Sequence, residues 1–128
     1  MTSIIAYHGT VSHFDTFMPC SAGIHAGTFD QAVQVATLKL ARMNPEDFEA
    51  LTPGPTGWRG ILLHVRLHMQ RTKRQADARY PHAWAEQIRI ARAEGFDSIV
   101  YQNEYEGAKD ADSFVVFKPE QIAIIGRE

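Results

Sequence analysis

The chain has 128 residues, enough for one domain that buries about two-thirds of its unfolded surface. A hydrophobic content of 45%, with 22% charged residues, is that of an ordinary globular protein, and a net charge of -2 argues against binding nucleic acid through bulk electrostatics. One cysteine, Cys20, excludes an internal disulfide and a thiolate metal cluster, and no apolar run approaches the roughly 20 residues that span a bilayer. With no basic region or long apolar core in Met1-Thr2-Ser3, a reducing cytoplasm is the expected home.

Ile4 to His8 is a short β-prone run that Gly9-Thr10 closes. Phe14 and Phe17 are expected to anchor the irregular link that follows, and Ile24 to Ala26 forms a second short strand stopped by Gly27. The first helix begins at Thr28. Thr28-x-x-Gln31 is a capping-box pattern with Asp30 in the first turn, so both residues read as a cap rather than as site residues. Phe29, Val33, Ala36, Leu40 and Met43 make a stripe at helical spacing, which Asn44-Pro45 ends. Residues 45 to 59 hold three prolines and two glycines and read as a surface loop with one short turn at Glu46 to Leu51.

Gly60 to Met69 alternates cleanly: Ile61, Leu63, Val65 and Leu67 face one side, and Leu62, His64, Arg66 and His68 the other. His64 and His68 stand about 13 Å apart along such a strand, so they cannot share a metal ion. The basic run from Arg71 to Arg79 contains a single acid, Asp77. Pro81 opens a second helix with Trp84, Ile88 and Ala91 on its buried side, and Gly95 stops it. Phe96 to Tyr101, Ser113 to Phe117 and Ile122 to Ile125 are strands, with a polar loop over Asn103 to Asp112 and a turn at Lys118 to Gln121. About two helices among six short strands, not alternating one for one, define an α+β domain spanning 1–128.

Tyr7-His8-Gly9-Thr10, followed by Gly23-Ile24-His25-Ala26, resembles the first two motifs of the ADP-ribosyltransferase fold in its poly(ADP-ribose) polymerase-like branch. Asp112 to Phe117 with Gln121-Ile122 resembles the third motif strand. Gly95-Phe96-Asp97 to Tyr101, then Asn103 to Gly107 and Asp112-Ser113, is similar to a divergent group in polyvalent proteins of phages and mobile elements. The match covers both ends of the chain and leaves 45 to 80 unexplained.

The resemblance implies a pair of small mixed sheets and NAD, bound as substrate, with no metal. It assigns His8 to the adenosine-side ribose and the Gly9 backbone to the nicotinamide amide, with Thr10 and His25 completing the nucleotide pocket. The glutamate that normally bonds the ribose 2′-hydroxyl is replaced by Ser113, which offers no charge to an oxocarbenium-like transition state. Glu104, Glu106 and Asp112 all lie close in sequence, and the loop with the first two is expected to compensate, Glu106 being favoured because Gly107 lets the backbone turn close to a ligand. Two readings follow. One is a transferase that cleaves the nicotinamide–ribose bond and passes ADP-ribose to a macromolecule or water. The other is a non-catalytic module that recognises a nucleotide or a protein partner. The run from Arg71 to Arg79 is either solvated surface or a contact for phosphates of NAD or of a nucleic-acid target.

Overall fold

The computed structural model describes residues 2–102 and 111–128. Residues 103–110, including Glu104 and Glu106, lie outside the described residues. Among the described residues seven strands form two sheets: β1 (Thr2–Thr10), β3 (Ile61–Met69) and β7 (Ile122–Arg127) in the order β1-β3-β7, and β2 (Ile24–Ala26), β6 (Asp112–Val116), β5 (Ser98–Gln102) and β4 (Thr72–Arg74) in the order β2-β6-β5-β4. The first sheet is antiparallel throughout, and the second is mixed because β4 runs parallel to β5. The described residues also form three α-helices: α1 (Phe29–Ala41), α2 (Pro45–Ala50) and α3 (Pro81–Ala93). The fold is α+β. Among the described residues, no helix is long and apolar enough to cross a membrane.

The core follows from the alternation on β3. Leu63, Val65 and Leu67 are fully buried, while Arg66 between them is exposed. They pack with Ala6, Ile24, Ala26, Val116 and Ile122, so this cluster draws on both sheets, and Phe14 and Phe17 close its edge. A second cluster lies under α3, where Trp84, Ile88 and Ala91 meet Ile99, Tyr101, Val115 and Phe117. That helix starts on Pro81 and ends as the sequence pattern requires: Gly95 takes φ 89°, its N–H reaches the Arg92 carbonyl and the Phe96 N–H reaches the Ala91 carbonyl.

The structure corrects several sequence-based expectations besides shifts of one to two residues at the ends of β5, β6 and β7. β1 is longer than Ile4 to His8 because its whole length, from Thr2 to Thr10, finds partners on β3. The turn expected within 45–59 is the complete short helix α2, capped by the Asn44 side chain on the Asp47 N–H. Thr72–Arg74, hidden in a basic run, is a seventh strand because it pairs with Ser98, Ile99 and Val100. On α1 the buried residues are Gln31, Ala32 and Ala36, whereas Phe29 is 45% exposed.

The last correction has a steric cause. A Cβ on Gly9 would lie 2.0 Å from the Ala32 carbonyl oxygen and 3.0 Å from the Ala36 nitrogen. The helix and β1 therefore touch backbone to backbone, which only the smallest residues on both partners allow. The larger Val33, Leu40 and Met43 are only half-buried.

The capping box forms as expected: the Gln31 N–H donates to Thr28 Oγ1 at 3.1 Å and the Thr28 N–H to Gln31 Oε1 at 2.9 Å. Thr28→Ala should lower stability by about 0.5–2 kcal/mol in denaturant unfolding. Gly9→Ala should cost about 1–3 kcal/mol, the range for overpacking a close contact, because backbone atoms of α1 have to move.

Candidate functional site

Where the two sheets meet, Tyr7 and Gly27 exchange both backbone hydrogen bonds, each 2.9 Å long. β1 then diverges, and a cavity of about 720 Å³ opens between its edge, β2, α1 and the start of α3. Its size suits a nucleotide-sized ligand. Tyr7, Phe17, Trp84 and Tyr101 supply aromatic wall, while Lys39, Arg42 and Arg79 supply cations. Among the described residues lining it, Asp77 is the one carboxylate.

The histidine of β1 is held in a defined state. His8 Nδ1 lies 2.6 Å from the His25 carbonyl oxygen, which can only accept, so Nδ1 carries the proton and Nε2 is left as an acceptor. Burial pushes the His8 pKa down to about 4, with Lys39 adding repulsion and the His25 carbonyl partly opposing it. At neutral pH the ring is therefore uncharged. It meets Phe17 edge to face, with the ring centroids 5.0 Å apart.

Gly9 turns its backbone toward the cavity for a reason of register. Its partner Leu62 exchanges both hydrogen bonds with Glu128 on the far side of β3, so the Gly9–Leu62 pair is the kind without mutual bonds. The Gly9 N–H and C=O therefore point to the same edge as those of Tyr7. The carbonyl accepts Lys39 Nζ at 2.9 Å. Thr10 is placed differently: it is 5% exposed, its hydroxyl accepts the Ser12 N–H at 3.2 Å, and it does not line the cavity.

His25 lines the cavity, but both its nitrogens are engaged by the protein. Nε2 donates to the Ala22 carbonyl at 2.8 Å, and Nδ1 then accepts the Tyr101 hydroxyl at 3.0 Å. Its pKa is lowered first by burial, while the Ala22 carbonyl and the nearby Asp77 charge work in the opposite direction. A ligand at this wall meets the ring rather than its nitrogens. The ring in turn stands edge-on to Trp84, with centroids 5.0 Å apart.

Ser113 forms part of the cavity floor at 2% exposure, and its Oγ donates to Gln31 Oε1 at 2.8 Å. Gln31 is the residue that sequence reading assigned to the cap alone. The same oxygen closes the capping box, while Nε2 donates to the Ala111 carbonyl at 3.2 Å. A glutamate at 113 would have to displace this carboxamide. Glu104 and Glu106 lie outside the described residues.

Lys39, Asp77 and Tyr101 also belong to the cavity, and no local motif marks them. The one available signal was Asp77, a lone acid inside a basic run. Among the described residues no group of three potential metal ligands comes together. Compared with known proteins, the chain matches no family model and no curated sequence.

The depressed pKa of His8 makes stability depend on pH in a stated direction. Its folded-state value lies below its unfolded value of 6.5, so the unfolded chain binds the proton more readily. The contribution is complete above pH 6.5 and is lost as pH falls toward 4. His25 acts in the same sense. Denaturant unfolding should show a loss of up to about 2–3 kcal/mol from His8 across that window. His8→Asn, which keeps a donor for the His25 carbonyl without titrating there, should remove that part of the slope.

Proposed function

We propose that this chain is an ADP-ribosyltransferase-like protein that binds NAD in the cavity between its two sheets. On this reading it cleaves the nicotinamide–ribose bond and transfers ADP-ribose to a macromolecular acceptor or to water. The observation that carries the reading is the pairing of His8 and Gly9 on one cavity wall. The neutral imidazole presents Nε2 as an acceptor suited to a ribose hydroxyl, and the adjacent Gly9 N–H is a donor suited to a carboxamide oxygen. Those are the two roles that the motif resemblance assigns to these residues.

The rest of the wall is consistent with a dinucleotide. Lys39, Arg42 and Arg79 favour an anion, and the aromatic side chains offer surface to a base or to nicotinamide. The Gly9 carbonyl, although it accepts Lys39, keeps a second lone pair for the amide N–H of nicotinamide.

A non-catalytic nucleotide-binding role is the second reading, and one observation favours it. Ser113 stands where the third motif would supply a carboxylate, and its hydroxyl is committed to Gln31 in a buried contact. Both readings require the nucleotide to bind, and only the first requires turnover.

Calorimetric titration with NAD should give one site per chain, and nicotinamide should appear on incubation. His8→Ala should weaken NAD binding by about 3- to 10-fold, the loss of one neutral hydrogen bond. Absence of binding at millimolar NAD would end both readings. Tight binding without nicotinamide release would leave the second.

A further inference from the structure

The cavity contains a carboxylate that the motif resemblance does not anticipate. Resting on the NAD-cleaving reading above, we infer that Asp77 is the catalytic carboxylate of this site, facing the ribose carbon from which nicotinamide departs.

Its placement follows from the pairing of β4. Thr72, Lys73 and Arg74 run parallel to Ser98, Ile99 and Val100, and the Gln75 N–H extends the ladder to the Val100 carbonyl at 3.1 Å. Arg74 also bridges to Asp112, the residue before Ser113, at 2.7 Å. The next residues, 76–80, are therefore delivered to the end of β5 where Tyr101 stands, and Ala78 packs on the cluster of Trp84 and Tyr101. Asp77 thereby lines the same cavity as His25 and Tyr101, together with Lys39 of α1 and Arg42 at its C-cap.

The turn holding it is strained. Arg79 has φ 74°, a left-handed conformation that side chains other than glycine seldom adopt, and it too lines the cavity. Asp77 Oδ1 accepts the Arg79 N–H at 2.8 Å, and the Tyr80 N–H closes on the Ala78 carbonyl at 2.9 Å. Strain of this kind concentrates where a backbone must present a side chain in one orientation. Here it presents a carboxylate and a guanidinium side by side at the cavity, immediately before α3.

The chemistry needs such a group. When the bond from the ribose C1′ to the nicotinamide ring nitrogen breaks, its electron pair goes to the ring and discharges the pyridinium. Positive charge then develops on C1′ and the ring oxygen of the ribose. A partly buried carboxylate stabilises that charge, which the Ser113 hydroxyl cannot do. A lone pair of water, or of a nucleophilic side chain on the acceptor, then bonds to C1′, and the acceptor's proton leaves to solvent.

Asp77→Asn tests the assignment because asparagine keeps the acceptor for the Arg79 N–H and removes only the charge. Nicotinamide release should fall by roughly 10²–10³-fold, with the NAD dissociation constant and the melting temperature both near wild type. Asp77→Ala should lower release similarly and also lower the melting temperature, since the turn loses its acceptor. Wild-type turnover in Asp77→Asn would overturn the inference and leave the transferase reading standing. A wild-type protein that binds NAD and releases no nicotinamide would overturn both the inference and the transferase reading, leaving nucleotide recognition.

Discussion

Two backbone hydrogen bonds between Tyr7 and Gly27 set the geometry on which the rest of this molecule depends. They tie the edge of the first sheet to the end of β2, and through β2 to the second sheet. Each such bond contributes only about 1 kcal/mol net. Their importance is positional. They come two residues before Gly9 and one residue before Thr28, so they fix where β1 meets the start of α1. The close approach of Gly9 to Ala32 follows, and beyond it the two sheets separate enough to leave a cavity. The shared core under Leu63, Val65, Leu67 and Val116 supplies the burial that holds this junction closed.

Around that junction the polar groups are arranged so that little is left to a single partner. Gln31, almost wholly buried, uses one oxygen for the Thr28 N–H and the Ser113 hydroxyl and its amide for the Ala111 carbonyl. One side chain therefore caps a helix and fixes the start of β6. The two histidines behave alike: each gives a proton to a backbone carbonyl, and burial keeps each neutral. Their difference lies in the second nitrogen. His25 spends it on Tyr101, whereas the Nε2 of His8, a residue that lines the cavity, is left as an acceptor. This asymmetry separates a residue that shapes the site from one suited to bind within it.

The charged groups of the cavity come from two segments of the chain. Lys39 in the last turn of α1 and Arg42 at its C-cap come from one, and Asp77 with Arg79 from the segment after β4. On the outside of the molecule, by contrast, the remaining basic residues of the 71–79 run are used structurally. Arg71 sits 4.6 Å over the Phe96 ring and Lys73 pairs with Glu94, both at the far end of α3 from the cavity. The run is thus neither wholly solvated surface nor wholly a phosphate contact.

The sequence by itself determined the elements whose signals are local. The Thr28–Gln31 box, the alternation from Ile61 to Leu67, the Pro81 start, the Trp84-Ile88-Ala91 stripe and the Gly95 stop all depend on residues within a few positions of one another, and all appear where the pattern puts them. The α+β class followed from counting those elements. Only the tertiary structure decided which face of α1 is buried, because the deciding partner, Gly9, lies more than 20 residues away and acts through backbone contact rather than hydrophobicity. The same holds for β4, a strand only because β5 is there to pair with it, and for Asp77, which three residues of parallel ladder carry to the cavity wall. His25 makes the point most plainly. Its strand was legible, but the engagement of both its nitrogens depends on a tyrosine 76 positions away and on a loop carbonyl behind it. Periodicity reports what a residue's neighbours in sequence favour, and hydrogen bonds across the fold answer to positions that no local pattern encodes.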